Sequence, residues 1–424
     1  MWYHLIGISG VSMRSIGKIL ERQGNKVTGS DLKITGHSKD NIKTGVEAVV
    51  YTSAVTEDSP GWVEIEEAKK QGIPLIKRGE MLAKIVENKK VIAVSGTHGK
   101  TTTTAMIGLS LIKAGLDPLV IVGEEVPELG GTTYFGTGEY AVIEACEYDR
   151  NFLYLHPDIA VVTNIEEEHL DHYPGGLPDI IATFKKFSLQ IKDGGTLVFC
   201  GDDKNASDMG SSVESKNISK ITYGLDKGNQ VNDLSFELQI PGDHNRRNAL
   251  AAIAVSNAVG IEATIVEKAI ESFRGAHRRF EILGEKDGVL VIDDYGHHPT
   301  EIKAVLSGLK EKYSDKKIFA VFWPHQFKRT LALLPKFKDA FSLVDNMIIK
   351  EIFFVPGRDE KLDISGADIV DLINEDGKNR AVFIDDDEKI IEYLNANLNS
   401  DYVLATIGIP PVYKIAKEYL GERC

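Results

Sequence analysis

Residues 91–104 read VIAVSGTHGKTTTT. Four apolar residues, Val91, Ile92, Ala93 and Val94, have strand character and stop at Ser95. Gly96, Thr97, His98 and Gly99 form a tight turn, and Lys100 with Thr101, Thr102, Thr103 and Thr104 opens a helical pattern that runs to Ile112. Strand, glycine turn, Lys-Thr and helix is the layout of a phosphate-binding loop. Its glycines let backbone N–H groups converge on phosphate oxygens, and the helix N-terminus adds a favourable dipole. Lys100 would reach the β- and γ-phosphates of a nucleotide, and the Thr101 hydroxyl would hold Mg²⁺. The usual loop has four residues between its first glycine and Gly-Lys. That first position is Val94 here, so this is the shorter Gly-x-x-Gly-Lys-Thr form.

Other reactive side chains cluster just past further strand-like runs. Residues 140–145 end in Glu144 and are followed by Cys146, Glu147, Tyr148 and Asp149. Residues 159–164 lead into Glu166, Glu167, Glu168, His169, Asp171 and His172. Ligands of open α/β sheets bind past strand C-termini, so these carboxylates are candidates for Mg²⁺; the second run also reads as a solvated acidic loop. Its His-x-Asp-His order suits zinc, but the lack of thiolates and the nearby phosphate loop favour Mg²⁺. The residues after the first strand, Gly7, Ser9, Gly10, Val11, Ser12 and Met13, open a βαβ unit whose second strand ends at Asp31. Ser9 and Ser12 break the glycine fingerprint for dinucleotides. The turn still offers N–H groups to a diphosphate, or else is merely structural, and Asp31 is placed for a sugar hydroxyl. A third strand ends at Ser53. His244 and Asn248 are four apart on a helix start, where they either contact a base or form a solvated first turn. The basic stretch 273–280 contains Arg279 and reads equally as a phosphate contact or a linker. Residues 289–294 end in Asp293 and Asp294, followed by Tyr295, His297 and His298, and Arg329 is suited to a carboxylate.

These groups need parallel sheets to hold them. Apolar runs at residues 196–200, 318–322, 347–354, 382–384 and 403–407 alternate with helical stretches, so the expected class is α/β. The expected domains are 1–88, 89–280 and 281–424, with polar residues 87–90 as a hinge; residues 202–219 look peripheral. A length of 424 residues accommodates two to four domains. The net charge of −14 speaks against non-specific nucleic-acid binding. Cys146, Cys200 and Cys424 form no Cys-x-x-Cys pair, so neither a disulfide framework nor a thiolate zinc site is expected. No signal peptide or membrane-length apolar run is evident, and a cytoplasmic enzyme without membrane or nucleic-acid partners is expected.

Seven pieces in order carry a resemblance to the Mur ligase family of peptidoglycan biosynthesis. They are GTHGKTTTT (96–104), EACEYDRNF (144–152), TNIEEEHLDHY (163–173), GDHNRRNALAAIAV (242–255), RRFEILG (278–284), DDYGHHPTE (293–301) and PHQFKRT (324–330). The resemblance implies a Rossmann-like UDP-sugar-binding N-terminal domain, a P-loop ATPase-like centre and a Rossmann-like C-terminal domain that closes onto the centre. It implies ATP and Mg²⁺ as cofactors, and a monomer or homodimer acting on small molecules. By resemblance, the turn after the first strand, with Asp31 and Ser53, takes the UDP-sugar. Lys100, Thr101, Glu144 and His169 take ATP phosphates and two Mg²⁺, and Lys100, His169 and Arg279 are the catalytic set. His244 and Asn248 match adenine contacts, Arg279 and Asp294 match further ATP contacts, and Tyr295, His297 and Arg329 match positions near an incoming amino acid. The His in Gly-Thr-His-Gly-Lys-Thr and the Tyr-Gly-His-His-Pro run resemble the branches that add L-alanine or a murein tripeptide to UDP-N-acetylmuramate; the Pro-His…Arg-Thr run favours L-alanine. The implied reaction passes through an acyl phosphate. Gly408-Ile409-Pro410-Pro411-Val412 departs from the family's Gly-Ala-Gly-Asp-Ile, and Gln326 stands where some relatives have Arg; both bear on acceptor choice. A binding-only protein and a nicotinamide dehydrogenase are the rival classes.

Overall fold

The computed structural model describes residues 1–215, 217–355 and 359–422; Cys424 lies outside them. Strands β1 (Trp2–Ile6), β2 (Lys26–Ser30), β3 (Ala48–Tyr51) and β4 (Leu75–Lys77) form a parallel sheet in the order β2-β1-β3-β4. The second sheet contains β5 (Lys90–Ser95), β6 (Leu119–Val126), β7 (Gly131–Phe135), β8 (Tyr140–Glu144), β9 (Ile159–Val162), β10 (Thr196–Cys200) and β11 (Ser219–Tyr223). Its order is β11-β10-β9-β5-β8-β6-β7, with β7 antiparallel to β6. The third contains β12 (Glu281–Lys286), β13 (Val289–Asp294), β14 (Lys317–Phe322), β15 (Asn346–Ile349), β16 (Ala381–Phe383) and β17 (Tyr402–Ile407), ordered β12-β13-β17-β14-β15-β16, with β12 antiparallel to β13.

The phosphate-loop strand β5 lies at the centre of its sheet, and Ile92, Ala93 and Val94 are fully buried. A strand covered on both faces reads as a continuous apolar run, which is why β5, β8 and β9 are legible in the sequence. The helix Lys100–Lys113 begins with four β-branched threonines, which are poor helix formers. Packing overrides that preference: Thr103 and Thr104 are fully buried, and the Thr104 hydroxyl donates to the Lys100 carbonyl at 2.8 Å.

The chain divides into two compact units. One comprises Met1–Leu238 with Asn245–Phe273, the other Gln239–His244 with Arg274 onward. In the first unit the two sheets share one core, in which Leu5, Met13 and Ile16 join the same cluster as Ala93, Ile121, Phe152 and Phe184. Residues 87–90, the expected hinge, form a tight turn leading into β5. The Lys89 N–H donates to the Val86 carbonyl, and its ammonium donates to the Gly138 carbonyl at 2.6 Å.

Residues 202–219 are not merely peripheral: they include the helix Lys204–Ser212, capped by Asp203, whose carboxylate accepts the Ala206 N–H at 2.8 Å. The strand expected over 347–354 ends at Ile349. Past it, the Lys350 side chain turns inward and is 2% exposed. It bonds the Asp385 carbonyl and the Asp387 carboxylate and lies 4.6 Å from the Trp323 ring. In the first sheet the Lys26 ammonium lies over the Trp2 ring, and on the helix Trp62–Lys70 the Lys69 ammonium lies over the Trp62 ring. Among the described residues no helix is long and apolar enough to cross a membrane.

Candidate active site

In the first unit, the phosphate loop is built by close backbone approach. Gly96 has φ 138°, and a methyl group there would lie 1.9 Å from Thr163 Oγ1. Gly99 has φ 81° and caps the helix Lys100–Lys113, where a methyl group would lie 2.5 Å from Asn248 Oδ1. Only glycine meets both demands, a left-handed backbone and no side chain. The loop is tied to the end of β9: the Thr97 N–H donates to the Asn164 carbonyl at 3.0 Å and the His98 N–H to Asn164 Oδ1 at 2.8 Å. Thr101 and Thr102, in the first helical turn, are each 7% exposed.

Lys100 Nζ donates to the carbonyls of Gly96 (2.5 Å) and Thr97 (3.0 Å) and pairs with Glu147 Oε1 at 3.0 Å. Burial works against this ammonium, but the charges of Glu147, Cys146 and Glu144 outweigh it and hold its pKa above the usual lysine value. His169 Nε2 lies 3.7 Å from the same Glu147 oxygen and meets the Tyr148 ring edge-on. Its φ of 56° is left-handed, an uncommon state for a non-glycine residue and one that marks a constrained site. Glu144 accepts the Gly123 N–H at 2.6 Å. The other Glu147 oxygen, Oε2, is buried without a hydrogen-bond donor. Lys100, Glu144, Glu147 and His169 are thus one electrostatic cluster. An orphaned carboxylate oxygen beside a second carboxylate and an imidazole fits a divalent cation that prefers oxygen ligands.

The turn after β1 also belongs to this unit. Gly7 has φ 83° and its N–H donates to the Ser30 carbonyl at 2.8 Å; Gly10 caps the helix Val11–Arg22. The first amides of that helix, from Val11, Ser12 and Met13, have no intrahelical acceptor, as anion binding requires. The Met13 side chain is 1% exposed and belongs to the core. Asp31 accepts the Lys33 N–H at 3.1 Å in the loop after β2. Ser53 donates to Asp149 Oδ2 at 2.6 Å, a carboxylate also paired with Lys77 at 3.1 Å.

Asn248 is 7% exposed. Its Oδ1 accepts from the Thr103 hydroxyl at 3.1 Å while facing Gly99, so here it braces the phosphate loop. His244, on the same helix Asp243–Val259, counts with the second unit.

In the second unit Glu301 interacts with Arg279, His297 and Asp294, the Tyr295 ring meets the His297 ring edge-on, and the Arg329 charge acts on His297. Asp294 accepts N–H groups from Phe280 (2.8 Å) and Gly296 (2.6 Å). Burial raises its carboxyl to about 6, although the Arg279 charge pulls it down. Burial holds the His297 imidazole down at about 3, with Glu301 opposing and Arg329 and Arg279 assisting. His297 is therefore neutral near pH 7. His298 caps the helix Pro299–Lys312, and Glu301 completes the capping box, accepts the His297 N–H at 3.0 Å and lies 3.5 Å from Arg279 Nη1. The stretch 273–280 spans the boundary between the two units, at Phe273 and Arg274, and its basic residues are held in place. Arg278 is 6% exposed, pairs with Asp293 at 2.8 Å and bonds the carbonyls of Gly408, Ile409 and Pro410. The loop after β17 thus presents carbonyls to an arginine, and Pro410 and Pro411 have no N–H to offer an anion.

Glu147, three residues past Glu144, is picked out from sequence only as one carboxylate of an acidic run; its pairing with Lys100 is not.

Comparison with known proteins places this geometry in a family. Residues 2–90 match the "Mur ligase family, catalytic domain" model, 94–256 the "Mur ligase middle domain" and 278–408 the "Mur ligase, glutamate ligase domain". A UDP-N-acetylmuramate–L-alanine ligase from Caldanaerobacter subterraneus subsp. tengcongensis is 38% identical over 456 aligned residues, which cover 99% of this chain and 97% of that protein. The crystal structure of UDP-N-acetylmuramate–alanine ligase from Thermotoga maritima superposes with a TM-score of 0.82 at 27% identity, covering 99% and 98% of the two chains. A murein peptide ligase from Psychrobacter arcticus shares the fold, with a TM-score of 0.70 at 22% identity and coverage of 99% and 98%. The chain belongs to the Mur ligase family.

Proposed function

We propose that this chain is an ATP-dependent UDP-N-acetylmuramate–L-alanine ligase, forming an amide bond in peptidoglycan precursor synthesis. The observation that carries the reading is the phosphate loop with Lys100 set against Glu147, Glu144 and His169, in a chain 38% identical over 99% of its length to a ligase of that name. Residues 1–88 serve the nucleotide sugar, 89–280 serve ATP and 281–424 form the ligase domain.

A free carboxylate is a poor acyl donor. Its attack on the γ-phosphate of ATP gives an acyl phosphate and ADP; the amine of L-alanine then attacks the acyl carbon and phosphate departs. No nucleophilic side chain is needed, so the protein's task is to position anions and offset their charge. The loop amides of residues 96–102 and the Lys100 ammonium cradle the phosphates, and Arg279 offsets charge as it moves. Thr101, Glu144 and His169, with Glu147 beside them, would hold Mg²⁺, which when bound neutralises developing phosphate charge. His244 and Asn248 flank the adenine, Asp294 orients the nucleotide, and Gly7, Ser9, Gly10, Val11, Ser12, Met13, Asp31 and Ser53 form the UDP-sugar end. Arg329 binds the amino-acid carboxylate, with Tyr295 and neutral His297 beside it. The enzyme works in the cytoplasm as a monomer or homodimer.

The test is mass spectrometry of products from UDP-N-acetylmuramate, Mg-ATP and a mixture of amino acids and murein tripeptide. A single alanine adduct formed with ADP is expected. A tripeptide adduct would reassign the acceptor, and ATP binding without any adduct would overturn the ligase reading.

A further inference from the structure

Arg78 is the first residue of the helix Arg78–Val86, directly past the C-terminal end of β4. Ligands of open parallel sheets gather at that side, and the turn after β1 lies on it too. Arg78 Nη1 donates to Ser12 Oγ at 3.1 Å, across from one helix start to another. No carboxylate pairs with Arg78 among the described residues. Its neighbour Lys77 behaves oppositely, being neutralised by Asp149 at 3.1 Å.

The backbone fixes where this cation stands. A methyl group at Gly79 would lie 2.7 Å from Asn151 Oδ1 and 2.9 Å from the Asn151 carbonyl, so the helix start is pressed onto the segment after β8. Arg78 thus stands where the turn after β1 meets the segment after β8.

A half-buried guanidinium with five donors and one neutral hydroxyl partner is poorly compensated. Its natural complement is a bidentate anion. We propose that Arg78, oriented by Ser12, binds the diphosphate of the nucleotide sugar at the turn after β1. The inference rests on the UDP-sugar reading given above and adds a residue to it. It also gives Ser12 a role: where a glycine would leave only an amide, Ser12 supplies the hydroxyl that aims Arg78.

The test is calorimetric titration of the full-length wild type, Arg78→Gln and Arg78→Lys with UDP-N-acetylmuramate, UDP and uridine, alongside KM for ATP. Loss of a charge-assisted bidentate contact should weaken UDP-N-acetylmuramate and UDP by about 10–100-fold in Arg78→Gln and spare uridine. Arg78→Lys should recover part of the loss, and the KM for ATP should stay within about 2-fold. If Arg78→Gln does not fold, Arg78→Lys carries the comparison, because it keeps the charge and loses only the fork. Unchanged UDP affinity in a folded variant overturns the assignment while leaving the ligase reading intact. A loss confined to UDP-N-acetylmuramate overturns it in favour of the muramoyl carboxylate, and a shift in the ATP KM alone overturns it in favour of ATP. A wild type that binds no uridine nucleotide defeats the UDP-sugar reading itself.

Discussion

Lys100, catalytic in the proposed reaction, illustrates how much of such a side chain is set by its fold. Sequence places it in a phosphate loop; the structure adds two loop carbonyls and Glu147 as its restraints. Glu147 was not legible as that partner, because an ion pair between residues 47 apart in sequence depends on β5 and β8 lying side by side. Removing the ammonium should cost far more in turnover than in binding of the sugar: Lys100→Ala is expected to lower kcat by at least about 100-fold, followed as ADP release. Near-normal turnover would remove the phosphate loop from the mechanism. His297 gives a second residue-level expectation. Its folded pKa, about 3, lies below the usual histidine value, so between pH 6.5 and 3 the unfolded chain binds the extra proton. The stability associated with neutral His297 is complete above pH 6.5 and declines as pH falls. Relative to His297→Gln, the wild type should lose on the order of 3 kcal/mol between pH 6.5 and 4, measured by denaturant titration. Asp294 titrates in the opposite sense, its carboxyl raised by burial to about 6, so the comparison must be made against the single variant. A pH-independent difference would mean His297 is not held neutral.

At the scale of elements, the best-read strands are the covered ones. β5, β8, β9, β10 and β13 were visible as apolar runs ending in chemistry. β7, β11 and β12 were not, and each lies at a sheet edge, where one side is unpaired and polar residues such as Thr132, Lys220 and Glu285 are tolerated; β6 was also missed, although it lies inside its sheet between β8 and β7. The motif also conveyed the loop's glycines but not what crowds them. Gly99→Ala combines a left-handed backbone with a methyl group 2.5 Å from Asn248 Oδ1. It should destabilise the protein by about 1–3 kcal/mol and weaken ATP. Adding Asn248→Ala should relieve the clash but not the backbone strain, so a double-mutant cycle in thermal unfolding should show non-additivity. Strict additivity would show that the contact is not what excludes a side chain.

Across the whole molecule, the sequence suggests three domains and three sheets are present, the first two sharing a common core. No local pattern announces this, since the apolar faces of β1 and of the helix Val11–Arg22 look the same whether they meet each other or a neighbouring sheet. Leu5 is fully buried in that shared cluster. Leu5→Ala should cost about 2–5 kcal/mol. Hydrogen exchange should accelerate at β5 amides as well as β1 amides, because both open in the same cooperative step. Acceleration confined to β1 would restore the picture of independent domains. The three tryptophans carry a consequence for optical work. Trp2 lies in the first sheet, Trp62 on the helix Trp62–Lys70 and Trp323 in the second unit, each beneath a lysine ammonium. The seven-stranded sheet that carries the phosphate loop contains no indole. Trp2 and Trp62 pack with Ile6, Val49 and Ile65 in a cluster distinct from the shared core, so intrinsic tryptophan emission has no reporter in the seven-stranded sheet, and a tryptophan introduced near Tyr148 would make the loop visible in its own right.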